Sequence, residues 1–329
     1  MKKNYLAIWV LGIASVLSSC VTIQVVSFDR LQAAEVNYPD QIRSVGVVNY
    51  MPLLQVSNQS LDIPEGSMQG DGKLAAEVLA QEIATTNYFN QVVICDSTLR
   101  TTVSDSEWGE PIPGHRVDSL LEALGVDMLY AIESVHVELK KSRFFLARSI
   151  DPQFVDAAIT PLVRTYVAGR QGPLFTFSKS DTIYWEKTPK MTQEVVLKEA
   201  SEYAGIMPVN YLLPYWKEVD RYYFDGGTVE MRDAGVYVRE ENWEEAAALW
   251  QLAYDTKKGK TKMRAAFNLA LYYEMQDDLK RTGEYLEAAS ALAVEGSFEK
   301  QMIIYYQMRL KEESMKNRQL KIQMKRFEP

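Results

Sequence analysis

The spacing of apolar residues changes once along this chain, near residue 190, and this change limits its fold more than any other feature. Residues 42–185 alternate β-branched runs with segments whose apolar residues recur every three or four positions. From residue 228 the spacing is helical throughout, and no proline interrupts it before Pro329. The chain is therefore predicted to be an α+β protein, with an N-terminal mixed-sheet α/β domain followed by an all-α domain.

The first region is predicted to contain a sheet with helices packed on it. The strands cover residues 42–50, 91–95, 128–139, 156–168 and 173–185, and the helices cover 73–87 and 117–124. Strands separated by a helix are expected to pair in parallel, whereas the turn at 169–172 predicts an antiparallel hairpin. Residues 58–72 are predicted to be a polar loop.

The helical region repeats its pattern with an offset of 36 residues. The corresponding pairs are Tyr237 and Tyr273, Ala246 and Thr282, and Ala253 and Ala289. This offset is close to the ~34-residue period of tetratricopeptide repeats. The run Trp243-Glu244-Glu245-Ala246 resembles the turn and second-helix start of such a repeat. Because two copies are fewer than a free-standing array needs, residues 298–310 are expected to supply a covering helix.

The N-terminus has the pattern of a secretory signal. Lys2 and Lys3 precede an uncharged apolar stretch at 5–17, which is too short to span a bilayer as a permanent helix. The run Leu17-Ser18-Ser19-Cys20 resembles the lipobox of bacterial lipoproteins, in which the residue matching Cys20 is lipidated and becomes the new N-terminus. The alternative is an ordinary secretory signal with an unrelated cysteine.

The residues after Cys20 bear on where such a lipoprotein is delivered. In lipoproteins an aspartate next to the cysteine resembles an inner-membrane retention signal, whereas this chain has Val21. Residues 21–27 also lack the acidic cluster typical of surface-exported lipoproteins. The resemblance therefore implies a protein that is anchored by lipid in the outer membrane and faces the periplasm.

Charge and cysteine content exclude several classes of protein. The formal net charge of −8 becomes −10 once Lys2 and Lys3 are removed, which disfavours nucleic acid as a partner. The two cysteines are Cys20 and Cys95, so lipidation of the first excludes an internal disulfide. Cys95 ends the apolar run at 92–94 and is predicted to be a buried thiol rather than a nucleophile.

The sequence contains no recognisable motif for catalysis or metal binding. It has no metal-ligand spacing, glycine-rich phosphate loop or nucleophile elbow. The chain is therefore predicted not to be an enzyme, and no cofactor or metal is expected. A loop at 97–114 holds Trp108 and Glu110, and His115 directly follows it; these three are candidate ligand-binding residues, although a solvated polar loop explains the same composition.

Stacked helix pairs leave a concave groove that suits peptides. The candidate protein-binding residues of the helical region are therefore Tyr237, Arg239, Tyr273 and Glu274. The basic tail at 311–329 could contact anionic lipid headgroups or an acidic partner, and a solvated terminal helix is the favoured alternative.

The predicted organisation has six parts. They are a lipoprotein signal peptide at 1–19, the anchor and first strand at 20–41, the mixed α/β domain at 42–190, connecting helices at 191–227, tetratricopeptide-like repeats at 228–310, and the basic C-terminal tail at 311–329.

The mature chain resembles an uncharacterised family of Bacteroidota lipoproteins with C-terminal tetratricopeptide-like helices. The residues that carry this resemblance are 42–50, Pro214-Tyr215-Trp216 with Arg221-Tyr222-Tyr223, and Trp243-Glu244-Glu245-Ala246 with Trp250. This resemblance implies no activity.

Residues 42–185 are also similar in layout to the α/β domain of curli-secretion lipoproteins, of lipoprotein activators of penicillin-binding proteins, and of Tol-system propeller proteins. The matching elements are Val45-Gly46-Val47-Val48, the helix from Leu74, Asn87-Tyr88-Phe89 before Val92-Val93, and Leu124-Gly125-Val126-Asp127. This resemblance implies a protein-binding module rather than an enzyme.

Together these features predict a lipid-anchored envelope lipoprotein that binds another envelope protein through its helical repeats. The alternative is a periplasmic lipoprotein that binds a small ligand or glycan with the loop at 97–114.

Overall fold

The computed structural model describes residues 22–52, 65–95, 99–100, 110–143, 153–186 and 191–327. The chain divides into two compact units, and each is built from two separate stretches of sequence. Unit 1 comprises Met1–Gln32 and Trp216–Lys321, and unit 2 comprises Ala33–Tyr215 and Ile322–Pro329. A mixed sheet with helices precedes a helical region along the chain, so the prediction of an α+β fold is confirmed.

The strands and helices of the described residues are numbered in chain order. The strands are β1 (Thr22–Gln32), β2 (Ser44–Asn49), β3 (Gly66–Gln69), β4 (Gln91–Cys95), β5 (Met128–Arg143), β6 (Gln153–Val167), β7 (Phe175–Phe177), β8 (Asp181–Glu186) and β9 (Tyr215–Asp225). The helices are α1 (Gly72–Thr85), α2 (Gly114–Leu124), α3 (Gln193–Ile206), α4 (Val209–Leu212), α5 (Val229–Arg239), α6 (Trp243–Thr256), α7 (Gly259–Met275), α8 (Leu279–Leu292) and α9 (Phe298–Met324).

Unit 2 is built on a seven-stranded mixed sheet. Its main path runs β4-β2-β5-β6-β7, with β3 added to β5 and β8 added to β6. The strand β2 pairs in parallel with both β4 and β5, whereas β6 pairs antiparallel with β5, β7 and β8. The parallel pairing follows from the connections, because α1 lies between β2 and β4 in the chain and α2 lies between β4 and β5.

The two faces of this sheet carry separate cores. Val47 and Tyr130 point to one face, where they pack with Leu79 of α1 and Val196 of α3. The next residue along β2, Val48, points to the other face and joins a cluster that includes residues of α2. Because side chains alternate along a strand, the parallel strands are apolar on both faces and read as continuous β-branched runs.

Two parts of the unit 2 sheet differ from the sequence prediction. The predicted strand at 173–185 is divided into β7 and β8, and both pair with β6 as the hairpin prediction requires. The prediction of a loop at 58–72 is wrong for β3, which pairs antiparallel with the distal half of β5. The mostly polar sequence of β3 gave no strand signal, because only Met68 packs against the core and backbone pairing with β5 holds the other residues in place.

Unit 1 combines the two-stranded sheet β1-β9 with the helices that follow it. The prediction that residues 191–227 contain only connecting helices is wrong, because β9 is a strand. Alternate residues of β9, including Val219, Arg221 and Tyr223, are buried. The aromatic residues of this segment also occur at helical spacings, and that periodicity concealed the two-residue alternation.

The 36-residue offset of unit 1 is present in its backbone geometry. The helices α6 and α8 have the same length and begin 36 residues apart. Each follows a residue of positive φ and a side-chain cap: Glu241 and Asn242 for α6, Asp277 and Asp278 for α8. The backbone N–H of each cap donates at 2.9 Å to the carbonyl of Tyr237 or Tyr273 respectively. The resemblance to tetratricopeptide repeats itself stays a prediction.

The C-terminal residues complete unit 2 instead of forming a solvated tail. The prediction of a solvated tail at 311–329 is wrong at its far end, where Gln323 and Arg326 are buried. The Gln323 side chain exchanges hydrogen bonds with both backbone groups of Ala34, and the Arg326 guanidinium lies 4.4 Å from the centre of the Tyr88 ring. These polar side chains are buried because backbone carbonyls and aromatic rings of unit 2 satisfy them.

Candidate functional site

The predicted protein-binding residue Glu274 is a structural residue of unit 1. Its carboxylate accepts hydrogen bonds from Arg221 at 2.7 and 2.8 Å and from Arg30 at 2.7 Å, and the Tyr306 hydroxyl also donates to it. Burial raises the pKa of Tyr306 far above its usual value, so this hydroxyl keeps its proton. The prediction for Glu274 is therefore wrong, because its buried carboxylate joins β1, β9 and α9 to α7 and cannot reach a partner.

The other three predicted protein-binding residues lie in different surroundings. Tyr237 is half-buried and packs at the margin of the unit 1 core. Arg239 is exposed, and its guanidinium pairs with the Asp225 carboxylate at 3.0 Å. Tyr273 stacks on Tyr285, with ring centres 5.3 Å apart and planes 7° apart. These three predictions remain untested.

Tyr273 also lines a polar, tyrosine-rich cavity of about 350 Å³. Tyr254 of α6 and Tyr285 of α8 lie beside it, and Arg281 places its guanidinium 5.2 Å from the Tyr273 ring. The sequence indicated Tyr273 through the 36-residue offset. It gave no signal for Tyr254 or Tyr285, because their proximity depends on how three helices pack.

A largely apolar cavity of unit 1 lies between its two-stranded sheet and α9. It has a volume of about 380 Å³, and we name it the β1–α9 groove. Its lining residues are Ile23, Asp220, Arg221, Tyr222, Phe267, Phe298, Gln301, Met302, Tyr305, Tyr306 and Arg309. Phe298 and Tyr305 are 60% and 55% exposed, and Ile23 and Tyr222 are also exposed. Several large exposed apolar side chains around one concavity are typical of an interaction site.

The charged groups of the β1–α9 groove already have partners within the chain. Arg221, which lies 5.6 Å from the Tyr306 ring, is paired with the buried Glu274. At the rim, Asp220 accepts a hydrogen bond from the Ser27 hydroxyl at 2.6 Å, and Arg309 pairs with Glu312 at 3.3 Å. The groove therefore suits apolar side chains better than a charged ligand.

The predicted ligand-binding residues are only partly described by the structure. Trp108 lies outside the described residues. Glu110 is exposed, and His115 is exposed in the first turn of α2. The structure therefore gives these two side chains solvent access, and the prediction of a ligand site here is untested.

A buried carboxylate that the sequence did not indicate lies near this region, in unit 2. Glu133 is the extra residue of a bulge in β5, because its neighbours Ile132 and Ser134 pair with consecutive residues of β6. Its carboxylate accepts hydrogen bonds from Arg164 and from the Tyr166 hydroxyl, both on β6. Burial raises the pKa of Glu133, although the hydrogen bond from Tyr166 and the charge of Arg164 oppose this effect.

The structure describes only one of the two cysteines, Cys95. Cys95 is a free thiol at the end of β4, and it is half-buried, so the prediction of a buried thiol is wrong. The reason is that β4 is an edge strand of the sheet. Cys20 lies outside the described residues, which begin two positions later with β1.

Neither a membrane-spanning helix nor a metal centre is seen in the described part of the chain. No helix there is both long and apolar enough to cross a bilayer. No group of three or more His, Cys, Asp or Glu residues there could hold a metal ion.

Comparisons with known proteins return two families without a known function. The model of a domain of unknown function, DUF8603, matches residues 42–224, which is more than half of the chain. A second domain of unknown function, DUF6340, matches residues 232–312. No curated protein matches the chain.

Two similar solved structures are dodecamers of PelC from Paraburkholderia phytofirmans. One is 6% identical and covers 56% of this chain and 94% of PelC, with a TM-score of 0.25. The other, a point variant in a different crystal form, is 7% identical and covers 54% of this chain and 95% of its own length, also with a TM-score of 0.25. At this TM-score the likeness supports no inference about function.

Proposed function

This chain belongs to the DUF8603 family, a family of unknown function, and we propose that it is a protein-binding adaptor of the cell envelope. In this proposal a lipid on Cys20 anchors the chain in the outer membrane, facing the periplasm. Unit 1 then binds another envelope protein. The proposal includes no catalytic step and no cofactor.

The observation that supports this function is the β1–α9 groove. Its exposed apolar side chains come from both strands of the two-stranded sheet and from α9. Burying four such side chains against a partner would contribute roughly 1.5–3 kcal/mol for each one that becomes fully buried. That is enough to drive association if the site is otherwise rigid.

The proposed occupant is an apolar segment of the partner protein. Each charged group of the groove named above already has a partner, so a charged ligand would have to compete with Glu274, Ser27 or Glu312. A peptide that inserts apolar side chains avoids this competition. It would need only to displace water from the cavity.

The membrane surface is the competing occupant. Ile23 is three residues after Cys20, and an extended chain of that length spans about 10 Å. A lipid on Cys20 would therefore hold the groove close to the bilayer, where tyrosine and arginine side chains are commonly found. The experiment must distinguish a protein from lipid in this groove.

Site-specific photocrosslinking in intact envelopes makes that distinction. A photoreactive phenylalanine analogue replaces Tyr305 in the groove or, as the control, Leu252, which is 47% exposed on α6 and does not line the groove. We expect a defined protein adduct from position 305 and none from position 252. An adduct with lipid alone, or the same proteins from both positions, would contradict the proposal.

A second variant pair tests whether the groove supplies affinity. Phe298→Asp together with Tyr305→Asp places charge on two exposed residues, so the fold should be retained. In chains without the photoreactive analogue, affinity purification should recover at least about tenfold less of the partner that crosslinking identified, since each buried apolar contact is worth roughly a factor of ten. Leu252→Asp is the matched control and should leave recovery unchanged. Equal recovery from both variants would overturn the role of the groove.

A further inference from the structure

A second site lies in unit 2, at the edge of the sheet where the parallel strands end. The strand β2 lies between β4 and β5, and the helices α1 and α2 cover opposite faces of the sheet. Tyr50 directly follows β2 and donates its backbone N–H to the carbonyl of Ile132 on β5 at 2.8 Å. Open α/β sheets bind ligands outside the carboxyl ends of their strands, where connections leave in both directions.

The carboxylate at this edge is already occupied. Glu133 accepts one hydrogen bond from Arg164 and one from Tyr166, and its side chain is fully buried. The Tyr166 oxygen in turn accepts the backbone N–H of Ile112 at 3.1 Å. Glu133 therefore pairs with Arg164, and the charge of Arg100 has the weakest of the effects that lower its pKa, without an ion pair between the two in the described ranges.

Two further arginines meet at Tyr50. The guanidinium carbons of Arg100 and Arg116 lie 5.7 and 5.5 Å from the centre of the Tyr50 ring. Arg116 also donates to the carbonyl of Leu99. Within the described ranges, neither arginine lies within ion-pair distance of a carboxylate, although two guanidinium groups on one ring repel each other.

We propose that Tyr50, Arg100 and Arg116 form a binding site for a small oxyanion, the carboxylate or phosphate group of a ligand. A guanidinium group presents paired N–H donors that match the oxygens of either group, and an anion between two arginines removes their repulsion. The buried Tyr50 ring holds both guanidinium groups in place by cation–π contact. This site lies in unit 2 and does not depend on the adaptor function proposed for unit 1.

Side-chain NMR of the full mature chain tests this site directly. The Nε–Hε signals of Arg100 and Arg116, assigned through single Arg→Lys variants, are followed during titration with inorganic phosphate, with citrate and with sodium chloride at matched ionic strength. We expect phosphate or citrate to shift both signals in a saturable manner. The arm with the tighter binding identifies phosphate or carboxylate as the group recognised. Equal shifts with chloride would indicate screening alone and would overturn the proposal.

Affinity measurements on variants provide the second readout. The double variant Arg100→Gln and Arg116→Gln should weaken binding by about tenfold or more, because each charge-assisted hydrogen bond contributes strongly to binding. Arg232→Gln, an exposed arginine of α5 that pairs with Asp233, is the matched control and should bind as the parent chain does. Unchanged binding in the double variant would contradict the assignment.

A final arm asks whether the chain supplies its own anion. The segment 101–109 carries Asp105 and Glu107 in the sequence. If the parent chain shows no saturable shift and the variant Asp105→Asn with Glu107→Gln does, an internal carboxylate neutralises the arginines. That result would overturn an external ligand. Saturable binding by both chains supports the proposal.

Discussion

Among the described residues, each unit buries one glutamate whose carboxylate accepts a hydrogen bond from a tyrosine hydroxyl. The two sites differ in how the charge of the glutamate is balanced. In unit 1, Glu274 accepts hydrogen bonds from two arginines and one tyrosine, and these donors come from β1, β9 and α9. In unit 2, Glu133 accepts hydrogen bonds from one arginine and one tyrosine, and both of these donors lie on β6. The first carboxylate joins segments that are far apart in the chain. The second occupies the end of a sheet beside further arginines.

The two buried glutamates therefore have different roles. Removing Glu274 would leave two largely buried cations without their shared counter-ion, so its role is to hold unit 1 together. Glu133 pairs with Arg164 and is affected more weakly by Arg100, and burial raises its pKa, so its environment favours the neutral form more than water does.

The largest effect is expected from Glu274→Gln. Arg30 and Arg221 would lose their common carboxylate while remaining buried, which should lower the free energy of unfolding by about 3–5 kcal/mol. Urea unfolding followed by circular dichroism measures this loss. Glu284→Gln on α8, which is exposed beside Lys280, is the control and should change stability by less than about 0.5 kcal/mol. A loss under about 1 kcal/mol at Glu274 would remove the distinction between the two sites.

The variant Arg326→Ala tests whether a buried cation that is held by carbonyls and a ring stabilises unit 2. Arg326 donates to the carbonyls of Ile42 and Tyr88 and lies over the Tyr88 ring. Its removal should cost about 2–3 kcal/mol through lost charge-assisted hydrogen bonds and the lost ring contact. Lys325→Ala, at the exposed neighbouring position, should have little effect in the same unfolding experiment. Comparable values for the two variants would show that the C-terminal residues do not stabilise unit 2.

The pH dependence of stability should reveal Glu133. Its folded pKa is raised above 4.5, so the unfolded chain ionises first as the pH increases. The parent chain should therefore lose stability relative to Glu133→Gln from pH 4.5 up to the raised folded pKa, and the difference should then level off. Melting temperatures of both chains across this range measure it. If the parent chain instead becomes more stable relative to Glu133→Gln as the pH rises, the sign is reversed and the prediction is wrong.

The smallest effect, with the opposite sign, is expected in unit 1 at Glu230. The hydrogen bond from Lys257, at 2.8 Å, and the backbone N–H at the start of α5 lower the pKa of Glu230 to about 2. Its stabilisation is present above pH 4.5 and is lost as the pH falls through about 2. Because Lys257 is partly exposed, Glu230→Gln should cost only about 0.5 kcal/mol at neutral pH. Stabilities that differ above pH 4.5, converge as the pH falls and coincide below about pH 2 would fit. A difference that persists at the lowest pH would not.

The sequence predicted those parts of the fold that depend on local periodicity. The β-branched run at 42–50 and the helical spacing at 73–87 correspond to β2 and α1, and the 36-residue offset reappears in the turns before α6 and α8. Each of these patterns is produced by a single element that buries one or two of its faces. Distant partners are not required to recognise them.

The remainder depends on contacts between residues that are far apart in the sequence. The partner of β9 is β1, and the hydrogen bonds of Gln323 go to Ala34, so neither pairing leaves a local signal. The same holds for the proposed sites. Ile23 lines one groove from β1 and Tyr305 lines it from α9, and Arg100 and Arg116 reach the same Tyr50 ring only because α2 packs on the sheet. Glu274 misled the prediction because a charged residue on an amphipathic helix usually faces solvent.

The division of each unit into two stretches of sequence has a consequence for biosynthesis. The strand β1 has its partner only after β9 has been made, and unit 2 lacks Gln323 and Arg326 until the late segment that holds them has been made. Many multidomain chains fold their N-terminal domain while the rest is still being translated. This chain cannot complete either unit before those late segments have been made, so both units stay incomplete until then. A polypeptide in that state can still be threaded through a narrow pore.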